Sequence, residues 1–60
     1  MKNKIVNFKV MVNGSVVTGT GTILDRGVEE NGNEIVIIDV LESTYYKKED
    51  VVVTDLCNIL

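Results

Sequence analysis

Five residue types are missing from this 60-residue chain: alanine, proline, glutamine, histidine and tryptophan. Histidine is the commonest general base and a common metal ligand, so its absence removes the simplest routes to catalysis and to a transition-metal site. The single cysteine, Cys57, excludes an internal disulfide and a cysteine-bound zinc cluster, and we expect it to be a small buried apolar residue. So short a chain must be stabilised by apolar burial or by contact with another chain.

Long apolar runs are also missing. A membrane-spanning helix needs about 18 consecutive apolar residues, and the chain has no such run. The charged N-terminus is followed by an alternating segment rather than by the apolar core of a signal peptide. Because a lone cysteine also fits a reducing compartment, we expect a cytoplasmic protein without a membrane partner.

Charge is unevenly distributed along the chain. Residues 1–24 carry three lysines and no acid, whereas residues 25–60 carry nine acids against three basic residues. The net charge of −3 disfavours general nucleic-acid binding, in which phosphate neutralisation supplies most of the affinity. The acidic part is either ordinary solvated surface or a face that docks on a basic partner.

The residues that are present favour strands. Valine, isoleucine and threonine fill 22 of the 60 positions, and β-branched residues suit strands better than helices. Residues 6–12 alternate apolar and polar side chains, and Asn13-Gly14 directly after them indicates a two-residue hairpin turn. The pairs predicted from this turn are Val12 with Ser15, Val10 with Val17, Phe8 with Gly19, and Val6 with Gly21.

The second strand carries two glycines on its inward face. Gly19 and Gly21 predict a sharp bend, with the ring of Phe8 covering Gly19. The alternative, a phosphate-binding loop over residues 19–22, lacks the third glycine and the following helix of the dinucleotide fingerprint.

A second turn at Asn31-Gly32 places Val28 opposite Ile35 by simple counting. The same counting places the apolar Leu24 opposite the charged Asp39, which is an unfavourable pair and predicts a β-bulge near Gly27.

Residues 34–41 form the most apolar segment, and they are apolar on both faces. Such a run is typical of a central strand or of a strand covered by a partner. The next strand starts near Tyr45 or near Asp50. We expect one 3₁₀ turn near Thr54–Leu56, capped by Thr54 or Asp55, and then a short fifth strand over residues 57–60.

This order of elements resembles the SH3-like small β-barrel. The residues that carry the resemblance are the bent segment Gly19-Thr20-Gly21-Thr22-Ile23-Leu24-Asp25-Arg26-Gly27 and the closing segment Val51-Val52-Val53-Thr54-Asp55-Leu56. It implies an all-β fold, a small SH3-like five-stranded partly open barrel with one 3₁₀ turn, formed by a single domain over residues 1–60. Short chains of this appearance are found among uncharacterised proteins of Gram-positive bacteria and their phages. Binding of proline-rich peptides is not implied, because the chain lacks the tryptophan of the aromatic groove.

Few residues are suited to catalysis or to metal binding, and we expect neither an enzyme nor a cofactor. Asp25 and Asp39 are the one carboxylate pair that the strands are expected to bring face to face. A chain of this length is also not expected to form the hollow of about 300 Å³ that ligand sites usually need. The acids considered as ligands for a hard metal ion do not follow the EF-hand spacing; they are Glu42, Glu49, Asp50 and Asp55.

The leading hypothesis is therefore a small protein-interaction module, for instance a phage or mobile-element factor that binds and modulates a host protein. The candidate partner-binding residues are Tyr45, Tyr46, Lys47, Lys48, Asp25, Arg26, Glu29 and Glu30. The candidate structural residues are Phe8, Asn13, Gly14, Gly19, Gly21, Gly27 and Leu56. One alternative is nucleic-acid binding through the tyrosine–lysine cluster together with Lys2, Lys4 and Lys9. Another is a self-assembling homo-oligomer built by edge pairing of the apolar strands.

Overall fold

Across residues 4–60, the fold consists of four antiparallel strands and one 3₁₀ turn. The computed structural model describes residues 4–60. The elements are β1 (Ile5–Val12), β2 (Ser15–Val28), β3 (Glu34–Ser43), β4 (Val51–Asp55) and the 3₁₀ turn (Leu56–Asn58). The strands neighbour one another in chain order, so that β1 and β4 are the edges of a sheet curled into a half-barrel. The all-β prediction and the single 3₁₀ turn are confirmed.

The prediction of five strands is wrong. The 3₁₀ turn lies two residues later than predicted and takes up Cys57 and Asn58, half of the predicted last strand. The other two residues of that segment make a single bridge between Phe8 and Ile59 and one hydrogen bond of 2.9 Å from the Leu60 amide to the Asn7 carbonyl. Asp55 occupies the cap position of the turn but makes no side-chain hydrogen bond there, so the predicted cap is wrong.

The first hairpin has the predicted register throughout. Asn13 and Gly14 adopt positive φ angles of 49° and 81°, as a type I′ turn requires at both central residues. All four predicted pairs are present, including Phe8 with Gly19. The alternating side chains of β1 point to the core at Phe8 and Val10 and to solvent at Lys9. The turn residues and the apolar alternation therefore specify the same pairing.

Strand β2 is shared between two partners, pairing with β1 over residues 15–22 and with β3 over residues 19–28. A Cβ atom on Gly21 would lie 2.5 Å from both the Asp39 carbonyl oxygen and Cγ2 of Ile38. A Cβ atom on Gly19 would lie 2.6 Å from Cζ of Phe8, which confirms the predicted ring over this glycine. Both glycines thus allow close approach where the sheet curls. The phosphate-loop alternative is wrong, because residues 19–22 lie inside β2.

The second hairpin is shifted by one residue from the predicted register. The Gly32 amide donates to the Glu29 carbonyl at 2.9 Å, and Gly32 has a φ of 89°. The hairpin therefore closes on a three-residue loop rather than on a two-residue turn. Val28 lies opposite Glu34 instead of Ile35. The register shifts between Ile23 and Asp25, rather than near Gly27, and again between Thr20 and Gly21.

The core lies on the concave side of the sheet. Strand β3 has alternate residues fully buried there, and β4 contributes one buried valine between two exposed ones. Strand β4 begins at Val51, which agrees with the later of the two predicted starts. The buried side chains are Phe8, Val10, Val17, Val36, Ile38, Val40 and Val52. The half-buried side chains packed against them are Val12, Ile23, Tyr46, Leu56 and Ile59.

Candidate functional site

The outer side of β2, β3 and β4 brings together apolar and acidic side chains. Cross-strand partners share a face of a sheet, and alternate residues of one strand do the same. The three rows of this surface run across the strands as Gly27–Ile35–Asp55, Asp25–Ile37–Val53 and Thr22–Asp39–Val51. We call the part formed by Ile35, Ile37, Val51, Val53, Asp25, Asp39 and Asp55 the acidic–apolar face.

The centre of this face is the cross-strand pair of Ile37 and Val53. Asp25 lies directly opposite Ile37 on β2, whereas Asp39 and Asp55 each follow a member of the pair by two residues. At about 3.3 Å per residue along a strand, these carboxylates are within about 7 Å of the central pair in backbone spacing. An apolar centre is therefore bordered by carboxylates on three strands.

The valines of β4 are the most exposed apolar side chains of the acidic–apolar face. Val51 is 58% exposed and Val53 is 59% exposed, while Val52 between them is buried in the core. Ile35 and Ile37 on the neighbouring strand are half-buried. Strand β4 is thus apolar on both faces, although only one of those faces contributes to the core.

Beside this face lies an open strand edge. Within residues 4–60, β4 pairs with β3 and with no other strand. The outward-facing N–H and C=O groups of an edge strand are available to a further strand. Natural edges are usually guarded by lysine, proline or a bulge, whereas this one begins with three consecutive valines.

The predicted meeting of Asp25 and Asp39 across two strands is wrong. Asp25 lies opposite Ile37, and Asp39 lies opposite Thr22, because the three-residue loop and the extra residue Leu24 each shift the pairing by one residue. Among residues 4–60, no cluster of three or more acidic or cysteine side chains is arranged to hold a metal ion. The four acids considered as metal ligands are therefore not gathered at one point.

The predicted tyrosine–lysine cluster lies in a hydrogen-bonded loop over residues 44–50, the tyrosine–lysine loop. Ser43 Oγ accepts from the amides of Tyr45 and Tyr46 at 3.1 and 3.2 Å, and Asp50 Oδ2 accepts from the Lys47 amide at 2.9 Å. The Val40 carbonyl accepts from the Glu49 amide at 2.8 Å. These bonds connect the loop to the end of β3, so its shape is determined by both local and strand contacts.

An aromatic series runs from the core to the surface of this loop. The rings of Phe8 and Tyr46 are 6.4 Å apart, and the rings of Tyr46 and Tyr45 meet edge to face at 5.1 Å. Phe8 is buried, Tyr46 is half-buried, and Tyr45 is 60% exposed. Only one of the two tyrosines therefore presents most of its surface to solvent, beside the exposed Lys47 and Lys48.

The lysines of the nucleic-acid hypothesis are partly brought together. Lys9 lies opposite Thr18, and the Thr18 carbonyl accepts from the Thr44 amide at 3.0 Å at the start of the tyrosine–lysine loop. Lys4 precedes β1 and is exposed. Lys2 lies outside the described residues. The basic side chains near the loop are thus Lys9, Lys47 and Lys48.

The candidate partner-binding residues fall into two groups that the structure does not join. Asp25 and Arg26 lie in the second half of β2, and Glu29 and Glu30 follow at its end; all four are exposed. Arg26 lies opposite Val36, near the start of β3, whereas the tyrosine–lysine loop follows the end of β3. Of the first group, only Asp25 belongs to the acidic–apolar face.

Two further expectations need correction. Cys57 is exposed rather than buried, and the 3₁₀ turn that contains it has no buried residue. The surface also carries a hollow of about 510 Å³, lined by Thr20, Glu42 and Leu60 among others, which exceeds the volume that we expected from so short a chain. Residues 4–60 contain no buried polar or charged side chain that would orient a ligand there. Nor does this part of the chain contain a helix long and apolar enough to cross a membrane.

Sequence reasoning missed most of the acidic–apolar face. It noted the runs that are apolar on both sides but did not place Asp39 and Asp55 beside them. The available signal was the alternation Ile35, Ile37, Asp39 together with Val51, Val53, Asp55. Reading it requires the β3–β4 register, which neither segment specifies by itself.

Comparison with protein-family models, curated proteins and solved structures finds no match to this chain.

Proposed function

We propose that this chain is a non-enzymatic protein-binding module whose partner docks on the acidic–apolar face. The observation that carries the proposal is the exposure of Val51 and Val53 beside an open strand edge. Exposed apolar side chains are common when scattered, but here they adjoin Ile35 and Ile37 on the same face. A contiguous apolar patch with a charged border is typical of a protein interface.

The border also supports a choice of partner. All three charged residues of the face are aspartates. Arg26, the nearest basic residue along β2, directly follows Asp25 and therefore lies on the opposite face of the sheet. Complementary charge speeds association and suppresses wrong partners. A basic partner surface therefore fits this face better than an acidic one.

The setting of the proposal follows the resemblance to SH3-like barrels. In that setting the chain is a cytoplasmic phage or mobile-element factor of Gram-positive bacteria, and it modulates a host protein by occupying part of its surface. No catalytic step by this chain is needed for such an effect.

The experiment compares two matched variants, Val53→Thr and Val16→Thr. Val16 is 55% exposed on the outer face of the first hairpin, so the two sites share residue type and exposure. A photo-crosslinking residue at position 53 should capture one protein from a lysate of the encoding organism, and the same residue at position 16 should not. The purified partner should then bind the Val16→Thr variant like the unaltered chain and the Val53→Thr variant about tenfold more weakly. Equal binding of both variants would refute the proposal.

A second candidate function is nucleic-acid binding at the tyrosine–lysine loop. It is supported by the exposed ring of Tyr45 beside Lys47, Lys48 and the nearby Lys9. Stacking on an aromatic ring and phosphate contact by lysine are the usual means of binding single strands. Affinity for a single-stranded oligonucleotide should then fall steeply with salt and be lost on combining Lys47→Glu with Lys48→Glu. Unchanged affinity in that double variant would exclude this candidate.

A further inference from the structure

We propose that the partner adds a β-strand to the open edge of β4, and that this strand carries a basic residue facing Asp55 and an apolar residue facing Val53. The inference rests on the proposed function and specifies its partner: an extended segment in which a basic and an apolar residue stand two positions apart and so lie on one face. In this binding mode, backbone hydrogen bonds supply affinity and alternate side chains supply specificity.

Strand β4 lies at an edge of the sheet, where its backbone can pair with a further strand. Its five residues extend for about 17 Å, and within residues 4–60 β3 is its one strand partner. An added strand would extend each row of the acidic–apolar face by one residue. Its side chains would lie about 5 Å from Val51, Val53 and Asp55, the distance of a cross-strand pair.

The two ends of β4 differ in the charge of the side chains around them. At the Asp55 end, the outer face carries Asp55 beside Ile35 and no basic neighbour across the strands. At the Val51 end, the strand follows the loop that holds Lys47 and Lys48. The preference for a basic side chain is therefore strongest opposite Asp55, and the middle of the added strand meets the apolar Val53.

A second copy of this chain fits the edge less well. Two copies each carry a net charge of −3, and pairing β4 with another β4 would supply no basic side chain opposite Asp55. Chains of the same net charge repel each other, so charge disfavours this dimer. A basic segment from another protein therefore fits the charge of the edge better.

The test uses a synthetic peptide with capped ends, Lys-Thr-Val-Thr-Val-Thr-Lys, and the same peptide with glutamate in place of both lysines. Because the pattern reads the same in either direction, it fits a parallel or an antiparallel addition. We expect the lysine peptide to bind at least about tenfold more tightly than the glutamate peptide, and more weakly as salt increases. It should also slow amide hydrogen exchange in β4.

Matched variants separate the edge from the rest of the surface. Asp55→Asn should weaken binding of the lysine peptide, whereas Glu29→Gln, which removes an exposed charge from the β2–β3 loop, should not. Equal binding of the two peptides, or unchanged exchange in β4, would overturn the inference. A rise in mass with concentration and β4 protection without peptide would overturn it in favour of self-pairing.

The two proposals fail in distinguishable ways. If Val53→Thr abolishes partner binding while the β4 amides stay unprotected, the face binds by side chains alone and only the strand addition is refuted. If Val53→Thr leaves partner binding unchanged, the proposed function itself is refuted, whatever the peptide does.

Discussion

The two edge strands of this sheet, β1 and β4, differ in how far other parts of the chain cover them. On β1, the bridge from Phe8 to Ile59 and the hydrogen bond from Leu60 to Asn7 cover the middle of the edge. The charged and exposed Lys9 is the next residue of the strand. On β4, three consecutive valines occupy an edge that no other strand within residues 4–60 covers. Unprotected edges promote aggregation, and the open edge of β4 is the one to which we propose that a partner binds.

The largest expected effect concerns the curl that separates the two edges. Gly21→Ala places a Cβ atom 2.5 Å from the Asp39 carbonyl oxygen, so we expect it to lower the free energy of unfolding by about 3 kcal/mol. Gly27→Ala is the control, because the nearest atom to its Cβ is Cγ1 of Ile35 at an ordinary 3.6 Å. That change should be neutral or stabilise the fold by up to about 1 kcal/mol. Urea denaturation measures both, and equal effects would contradict the close-approach argument.

The second prediction removes the cover from β1. Ile59 is half-buried against the core, so Ile59→Ala should lower the free energy of unfolding by about 2 kcal/mol and speed amide exchange along β1. Leu60→Ala is the control, because that side chain is 74% exposed while its amide still donates to Asn7. The control should stay within about 0.5 kcal/mol of the unaltered chain. A loss of the same size in both variants would mean that Ile59 does not contribute specifically to the covered edge.

The smallest effect on stability is expected from guarding the open edge. Val53→Lys puts a charge on an exposed position of β4 and should change the free energy of unfolding by no more than about 0.5 kcal/mol. Aggregation on heating should nevertheless decrease, because edge lysines hinder strand-to-strand pairing. Light scattering measures this. Val16→Lys lies in the first hairpin, away from β4, and should have no such effect on pairing at that edge; equal protection by both would point to net charge instead.

The first hairpin could be predicted from sequence because its information is local. Asn13-Gly14 specifies both the turn type and the register, and the alternation of apolar residues agrees with it. The second hairpin could not, because Asn31-Gly32 permits both a two-residue and a three-residue loop. The register beyond the loop also shifts at Leu24, and simple counting from the turn does not locate that shift.

The candidate site was predictable only in part, for the same reason. Tyr45, Lys47 and Lys48 are adjacent in sequence, so their clustering followed directly. Asp25, Asp39 and Asp55 lie on three different strands. Their place on one face of the sheet can be predicted only when the β2–β3 and β3–β4 registers are known. A one-residue slip moves a strand's whole set of side chains to the opposite face.

The meander order of the strands has a consequence for the kinetics of folding. Each strand pairs with its neighbour in sequence, so most of the sheet can form by closing short loops, which is the fast route for β-proteins. The bridge between Phe8 and Ile59 joins the two ends of the described chain and has the largest loop-closure cost of the described pairings. We expect this costly contact to form late in folding, so Ile59→Ala should speed unfolding more than it slows folding.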